Sequence, residues 1–434
     1  MRIEKTLNSE NTNKYRPVLL QNRHADRIAT IEEYRNSGGY EGLSKLLAEN
    51  DPKKAREVLV DANLLGRGGA AFPAGRKMMT VPEDAPFPRY VICNADEMEP
   101  GTFKDRVLIF ADPHQLIEGM VIAGFAAQAA EGFVFIRPEY EGAAKILERE
   151  VETARSQGFI GENILGSGYD FTIVVHRSGG RYICGEATAQ LNALMGVRPN
   201  PKQPPPYPTV KGLWQRPTVV QNVETLCCMP HILQNGSQWF KSLALTESGA
   251  GTKVFCVSGR VNRPGCYELP MGVPLREIIE EHAGGIKDGA RFKACLPGGA
   301  STAFLPERLY EIPMDYESLK AEGFRLGTAA VMVFDHRDCL VDATVNLLDF
   351  FVRESCGWCT PCRDGLPYIR DLLFRIENGS GTEQSVAKIE TMCRHLWSSY
   401  CAFAPGAVAP VEGLMAEFRD EVMAHVEGGG CPFK

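Results

Sequence analysis

A chain of 434 residues, 44% of them apolar, can bury more than one hydrophobic core, which sets an expectation of roughly two to four domains. Its 47 basic and 54 acidic side chains leave a formal charge of −7, and this acidic balance argues against nucleic acid as a partner, because a phosphate backbone wants a basic face. The opening MRIEKTLNSENTNKYRP has no apolar core of the kind a signal peptide needs, and the longest apolar stretch, MVIAGFAAQAA at 120–130, is too short to span a bilayer. A soluble intracellular protein is expected.

In chain order, residues 1–60 read as a polar lead and then a charged helix, PKKAREVLVDANL. GRGGAAFPAGRK at 66–77 reads as a glycine-rich turn leading into a helix. RYVICNADE at 89–97 gives a short buried strand, Tyr90 to Cys93, that ends in polar residues. PHQLIEGMVIAGFAAQAA (113–130) has helical spacing, GFVFIRPEY (132–140) suits a strand, EGAAKILEREVETARSQG a helix with a glycine stop, and DFTIVVHR (170–177) another strand. Such alternation predicts an α/β domain with a parallel sheet, expected over 61–245. GGRYICGEATAQLNALMG (179–196) repeats the pattern, a short strand and then Gly185 and Glu186 opening a helix. VRPNPKQPPPYPTVKGLWQRP (197–217) is too rich in proline for regular structure and is expected to cross the surface as an ordered loop or clamp. The texture then changes: 252–285 reads as a hairpin with a Pro-Gly turn and one helix, part of a small α+β module over 246–335. From 336 to 434 the pattern is helical, and LVDATVNLLDFFVRESC, GLPYIRDLLFRIENG, SVAKIETMCRHLWSSYC and GLMAEFRDEVMAHVEGGG suggest a bundle.

The sharpest signal is ESCGWCTPCRDG at 354–365, where Cys356, Cys359 and Cys362 recur every third residue. At that spacing three thiols converge on one side of a turn between two predicted helices. A fourth ligand must come from elsewhere. Cys401, in a loop-like run rich in Ala, Gly and Pro, is the first candidate; Cys393, inside a helical segment, is its competitor. Four thiolates suit a [4Fe–4S] cluster. Structural zinc, which more often uses two separated C-x₂-C pairs, and three plain reduced thiols are the rival readings. The other ten of the fourteen cysteines show no regular spacing, and most of them are expected to be small, inert core or surface residues.

Upstream, Gly66, Gly68 and Gly69 open backbone N–H groups toward an anion, with Arg67, Arg76 and Lys77 adding charge, although the pattern is neither a dinucleotide G-x-G-x-x-G nor a Walker loop and a plain tight turn fits it too. Asp96, Glu97 and Glu99 crowd together directly after a strand, where ligands of open α/β sheets bind, but a solvated acidic loop would read the same.

Taken together, GRGGA-F, CNADE-EPGTFKDR, GRYICGE-TA, NVETLC, ESCGWCTPCRDG and C-APGAV, in that order over nearly the whole chain, resemble the NADH-binding flavoprotein subunits of respiratory complex I, the NADH:quinone oxidoreductases. Diaphorase subunits of NAD-linked hydrogenases and formate dehydrogenases are similar in the same motifs. The resemblance implies FMN, an NADH site and one [4Fe–4S] cluster on a Rossmann-like α/β domain, a β-grasp-like module and a C-terminal helical bundle. It implies that Gly66, Arg67, Gly68, Gly69, Phe72 and Lys77 line the nucleotide and flavin pocket, that Asn94, Asp96 and Glu97 lie against FMN, and that Glu99 sits beside the reacting rings with no acid–base role. Tyr182, Gly185, Glu186, Ala187, Tyr207, Gln221, Asn222 and Thr225 complete the cofactor sites, and Cys356, Cys359, Cys362 and Cys401 bind the cluster. The implied activity is hydride transfer from NADH to FMN and single-electron passage to the cluster. The implied partners are a small thioredoxin-like [2Fe–2S] subunit and a larger iron–sulfur subunit, in the peripheral arm of a membrane-bound complex on its cytoplasmic or matrix side. A zinc-stabilised scaffold that has lost its flavin is the non-catalytic alternative.

The sequence leaves the family pattern mainly on the nucleotide side. Ala71 replaces a glycine, Ala187 the second glutamate of GEETA, Pro204 a lysine (Lys202 is near), Gln221 an asparagine, and Tyr207 a common phenylalanine. An acidic side chain in such sites accepts from the ribose 2′-OH and repels a 2′-phosphate. Ala187 therefore raises two expectations: relaxed choice between NADH and NADPH, or compensation by a neighbouring carboxylate.

Overall fold

The computed structural model describes residues 14–434; the beginning of the polar lead expected over 1–60 lies outside the described residues. Helices α1 (Ile31–Asn36), α2 (Glu41–Glu49) and α3 (Pro52–Asp61) come first. The charged helix is thus present, and Asp51 caps it by accepting from the Lys53 amide at 2.9 Å, with Pro52 at its first position. The glycine turn runs into α4 (Ala74–Met79), as its sequence predicts.

Four strands, β1 (Tyr90–Ala95), β2 (Glu131–Ile136), β3 (Thr172–Arg177) and β4 (Thr218–Asn222), form a wholly parallel sheet in the order β3-β2-β1-β4. Its central strands are near-continuous apolar runs because both faces are covered. Helices α5 (Lys104–Ala111), α6 (Pro113–Ala127), α7 (Glu141–Ser156), α8 (Ala187–Leu194) and α9 (Val223–Asn235) supply much of that cover. Every residue of α6 is buried, and a Cβ on its Gly119 would come within 2.1 Å of the Leu226 carbonyl oxygen, so α6 and α9 cross in backbone contact. Among the described residues no single helix is long and apolar enough to cross a membrane; the α5–α6 pair, bent by 103°, would be so only by combined length and composition.

A second sheet follows: β5 (Thr252–Gly259), β6 (Gly265–Pro270), β7 (Phe292–Leu296), β8 (Leu305–Pro306) and β9 (Ala330–Asp335), ordered β6-β5-β9-β7-β8, with β5 and β9 parallel and the other pairs antiparallel. The β5–β6 hairpin agrees with the sequence. The single helix expected after it is only Leu275–Glu277, continued by a wide π turn over Ile278–His282. The C-terminal region is helical as expected: α10 (Leu340–Glu354), α11 (Thr360–Glu377), α12 (Glu383–Leu396), α13 (Phe403–Glu417) and α14 (Arg419–Glu427).

Three expectations need correction. RYIC is not a strand but a 3₁₀ turn, Tyr182–Gly185, because the chain has left the sheet edge and the Tyr182 amide donates to the Glu354 carboxylate of α10 at 3.0 Å instead of to a ladder. The alanine-, glycine- and proline-rich run after Cys401 is not a loop but the start of α13. Its glycines serve close packing: a Cβ on Gly413 would meet the Phe304 amide nitrogen at 2.7 Å, and one on Gly406 would meet Ser301 at 3.3 Å. The last expected helix, accordingly, begins ten residues earlier and breaks at Phe418. The strand β4 and helix α9 fall in TVVQNVETLCCMPHIL, which the sequence reading leaves unassigned.

Candidate active site and metal centre

In the first sheet the chain runs from β1 outward to β2 and β3, then returns to lay β4 on the other side of β1, so the β1–β4 crevice is the topological switch point where open α/β sheets bind ligands. A cavity of about 300 Å³ opens there. The glycine loop contributes Gly68 and Gly69, the end of β1 contributes Asn94, Asp96, Glu97 and Glu99, the 3₁₀ turn contributes Tyr182, Gly185 and Glu186, and β4 contributes Asn222. The far wall comes from the other two regions of the chain: Gly298, Ser301, Thr302, Arg325 and Thr328 of the second sheet's loops, and Ala402, Phe403 and Gly406 at the start of α13.

The floor is a buried charge network. Lys104, 1% exposed, donates to Asp105 at 2.6 Å and to the Asn222 side-chain oxygen at 3.0 Å, and pairs with Glu224 at 3.1 Å. Glu224 also pairs with buried Lys253, and against the upward push of burial the cations Lys253, Lys104 and Arg67 hold its carboxyl down at about 2. Glu97 accepts from the amides of Asp105 and Arg106 at 2.8 and 3.2 Å and from the Tyr140 hydroxyl at 3.0 Å; burial and the neighbouring Asp105 push its carboxyl up. Asp96 is pushed up to about 6 by burial. One of its oxygens accepts from Ser178 at 2.6 Å, while the other is buried with no partner among the described residues. Half-buried Glu99 is fixed by the Tyr182 hydroxyl and the Ser301 amide, both at 2.6 Å, and burial raises it.

These features fit a flavin nucleotide. Asp96 offers an unpartnered buried acceptor to a hydroxyl- or N–H-bearing ligand, an atom that is costly to leave unpaired. A Cβ on Gly185 would point into open space, and one on Gly68 would press on Asn222 at 3.1 Å, so the glycine loop lies flat against β4 and leaves its backbone facing the cavity.

Other residues singled out in the sequence lie outside the cavity lining. The Arg67 side chain is buried and donates to the Ala250 carbonyl at 2.8 Å, while its amide donates to the Thr225 hydroxyl at 2.8 Å; the pair anchors the glycine loop from behind. Lys77, lowered to about 8 by burial, donates to the Val220 carbonyl at 2.9 Å. Gln221 reaches the Ala74 carbonyl at 3.3 Å, and the Gly66 amide donates to the Phe72 carbonyl at 3.0 Å. Phe72 and Tyr207 are exposed, at 48% and 61%. Ala187 is the first residue of α8, and Glu186 caps that helix, accepting from the Ala189 amide at 2.8 Å and the Thr188 hydroxyl at 2.6 Å. Sequence reasoning missed Lys104 and Asp105, although EPGTFKDR carries them, and the second-sheet and α13 residues, for which it holds no signal.

Cys356, Cys359, Cys362 and Cys401 line one small apolar recess together with Ile183, Trp358, Tyr400 and Phe403. Cys356 and Cys359 lie in the α10–α11 connection, Cys362 in the first turn of α11, and Cys401 just before α13. Cys393 packs into the α12 core instead, 3% exposed. Burial pushes Cys362 up to about 11 and Cys401 up to about 12. Four cysteines, three from one short span and one from the start of α13, around a single recess fit the four-thiolate ligand set of an iron–sulfur cluster. Ile183 and Phe403 line both the recess and the large cavity and form a common wall.

A switch-point cavity backed by buried carboxylates and walled from a four-thiol recess by two side chains defines a flavoprotein that also carries an iron–sulfur centre. Residues 59–231 match the family described as the Nuo51 FMN-binding domain, 254–305 the SLBB domain, and 342–425 the NADH-ubiquinone oxidoreductase-F iron-sulfur binding region. The chain is 45% identical over 420 residues to an F-type subunit of the NADH-quinone oxidoreductase of Rhizobium meliloti, covering 96% of this chain and 100% of that one. It is 47% identical over 414 residues to the corresponding F-type subunit of Escherichia coli, covering 95% and 93%. The protein belongs to this family, the F-type subunits of NADH-quinone oxidoreductase. Among solved structures, an NAD+-reducing [NiFe]-hydrogenase in the H2-reduced state superposes with a TM-score of 0.79 at 35% identity over 87% of this chain and 63% of that one.

Proposed function

We propose that this protein is the electron-input subunit of an NADH:quinone oxidoreductase, with NADH oxidised in the switch-point cavity and electrons leaving through the thiol recess. Bound in those two places, FMN supplies hydride acceptance and stepwise electron release, and a [4Fe–4S] cluster supplies one-electron carriage. The observation that carries this reading is the shared wall: Ile183 and Phe403 touch both sites, and the Tyr182 ring, 5.6 Å from that of Phe403, holds Glu99 on the cavity side. Asn94, Asp96, Asn222 and the glycine loop would bind and orient the flavin. Glu99, locked by two donors, would position the reacting rings and exclude water without moving a proton. Cys356, Cys359, Cys362 and Cys401 would hold the cluster.

Trp358, 58% exposed, and Tyr400, 38% exposed, stand at the rim of the recess, an apolar collar suited to a covering partner. We assign that role to an iron–sulfur subunit of the same complex, with a thioredoxin-like [2Fe–2S] subunit nearby. The chain would then reach the membrane only through the complex, on its cytoplasmic or matrix side. The structural likeness to the hydrogenase favours a second reading, a diaphorase subunit of a soluble assembly. The test is the protein purified with its partners under anaerobic conditions. NADH should bleach a flavin spectrum and drive ferricyanide reduction, and quinone reduction should follow in membranes but hydrogen-linked activity should not. A folded, colourless, iron-free protein would sink the reading.

A further inference from the structure

At the end of the bundle away from the thiol recess, four ligating atoms from four segments meet: Cys339 Sγ, a Glu377 carboxylate oxygen, His425 Nε2 and Cys431 Sγ, all within 4.8 Å of one another. Cys339 caps the start of α10 and Glu377 is the last residue of α11. His425 lies in α14, and Cys431 in the tail beyond it. The two helices that reach Cys356 and Cys362 at one end thus reach this group at the other, roughly 22 Å away along the 15 residues of α10.

We propose that this group is a structural zinc site, of Cys₂-His-Glu composition, that staples the C-terminal tail to the bundle. The Cys339 sulfur lies 3.3 Å from Glu377 Oε2 and 3.2 Å from His425 Nε2, and these two lie 3.1 Å apart. A tetrahedral zinc with such ligands spaces them by roughly 3.3–3.8 Å, so these three need only a few tenths of an ångström of expansion, with the Cys431 sulfur within 4.8 Å of each of them. His425 Nδ1 faces the Glu421 carbonyl at 2.7 Å, and a carbonyl can only accept; Nδ1 therefore carries a proton and Nε2 is the atom turned toward the other ligands, the second-sphere arrangement of zinc histidines. The charges also close. Two thiolates and one carboxylate face Zn²⁺ and Lys434, whose ammonium lies 2.8 Å from Glu377, with the two thiol protons released to solvent on binding.

The tail is built to arrive there. The Cys431 amide donates to the Glu377 carbonyl at 3.1 Å, the Gly430 amide to the His425 carbonyl at 2.9 Å, and a Cβ on Gly379 would come within 2.2 Å of the Gly429 oxygen. N and S donors with one oxygen and no open position are the chemistry of a closed zinc centre rather than of Mg²⁺ or Ca²⁺.

The experiment counts zinc and iron in the complex purified without added metal, as wild type and as the Cys339→Ser/Cys431→Ser double variant. The expected result is a loss of about one zinc per chain, with iron, flavin and NADH–ferricyanide activity kept and Tm lowered. A Cys356→Ala variant should lose iron and keep that zinc. Should the double variant fail to fold, zinc X-ray absorption on the wild type decides: two sulfur and two lighter neighbours are expected, and an all-sulfur shell overturns the proposal. Equal zinc in wild type and double variant overturns it, as does a Cys339–Cys431 disulfide found by mass in zinc-free protein.

Discussion

The thiol recess and the switch-point cavity are built in opposite ways. Three of the recess's four sulfurs come from one seven-residue span, Cys356 to Cys362, whose spacing alone brings them together. The cavity is assembled from the glycine loop, two parallel strand ends, the second sheet and α13, and its floor is a charge network buried in a sheet crevice. Damage should therefore stay local in the first and spread through the fold in the second.

The largest effect tests the recess. Replacing Cys362 or Cys401 by alanine should abolish the iron signal and electron output to partners, while NADH still reduces the flavin. Replacing Cys393 should leave iron intact and cost only a small packing term, on the order of 1 kcal/mol in Tm-derived stability. Iron counted in all three variants checks the ligand assignment, and iron lost with Cys393 would break it. Next, Lys104→Ala should destabilise the whole chain by about 3–5 kcal/mol and empty the flavin site, because Glu224 and Asp105 lose a partner while buried. Denaturant melts reading a flavin-only defect at unchanged stability would erase the contrast between the regions.

A smaller effect concerns pH. Asp96 rises from 3.8 to about 6 on folding, so the folded state binds the extra proton, and stability falls as pH rises through that window. The loss is at most about 3 kcal/mol. Asp96→Asn should flatten Tm between those pH values in flavin-free protein, and bound flavin, by donating to the free oxygen, should flatten it in the wild type. The smallest effect is at Ala187. Since Glu186 is engaged as the α8 cap, it is poorly placed to compensate, and relaxed nucleotide choice is the expected outcome. Ala187→Glu should raise the NADH over NADPH ratio of kcat/KM by about tenfold, roughly 1.4 kcal/mol. An unchanged ratio would mean that another carboxylate already does this work.

Legibility followed the same divide. Short apolar runs marked β1, β2 and β3, and helical apolar spacing marked α6 and the bundle helices, because each of them buries apolar side chains. β4 and α9 escaped because Thr218–Asn222 is only five residues and runs directly into a helix holding Cys227, Cys228 and Pro230, with no turn residue between. Glycine and proline misled at α13, where they buy backbone contact rather than a turn.

By itself the sequence determined the cysteine triplet, the acidic run after β1 and the order of α/β, mixed and helical regions, since spacing and periodicity are properties of neighbours along the chain. Only the tertiary structure put Cys401, and not Cys393, in the recess with the triplet, put Ser301 and Phe403 around the cavity with Glu99, and gathered Cys339, Glu377, His425 and Cys431 at the far end of the bundle. Those are meetings of residues tens to hundreds of positions apart, and they are fixed by how buried faces pack, a quantity that no local pattern encodes.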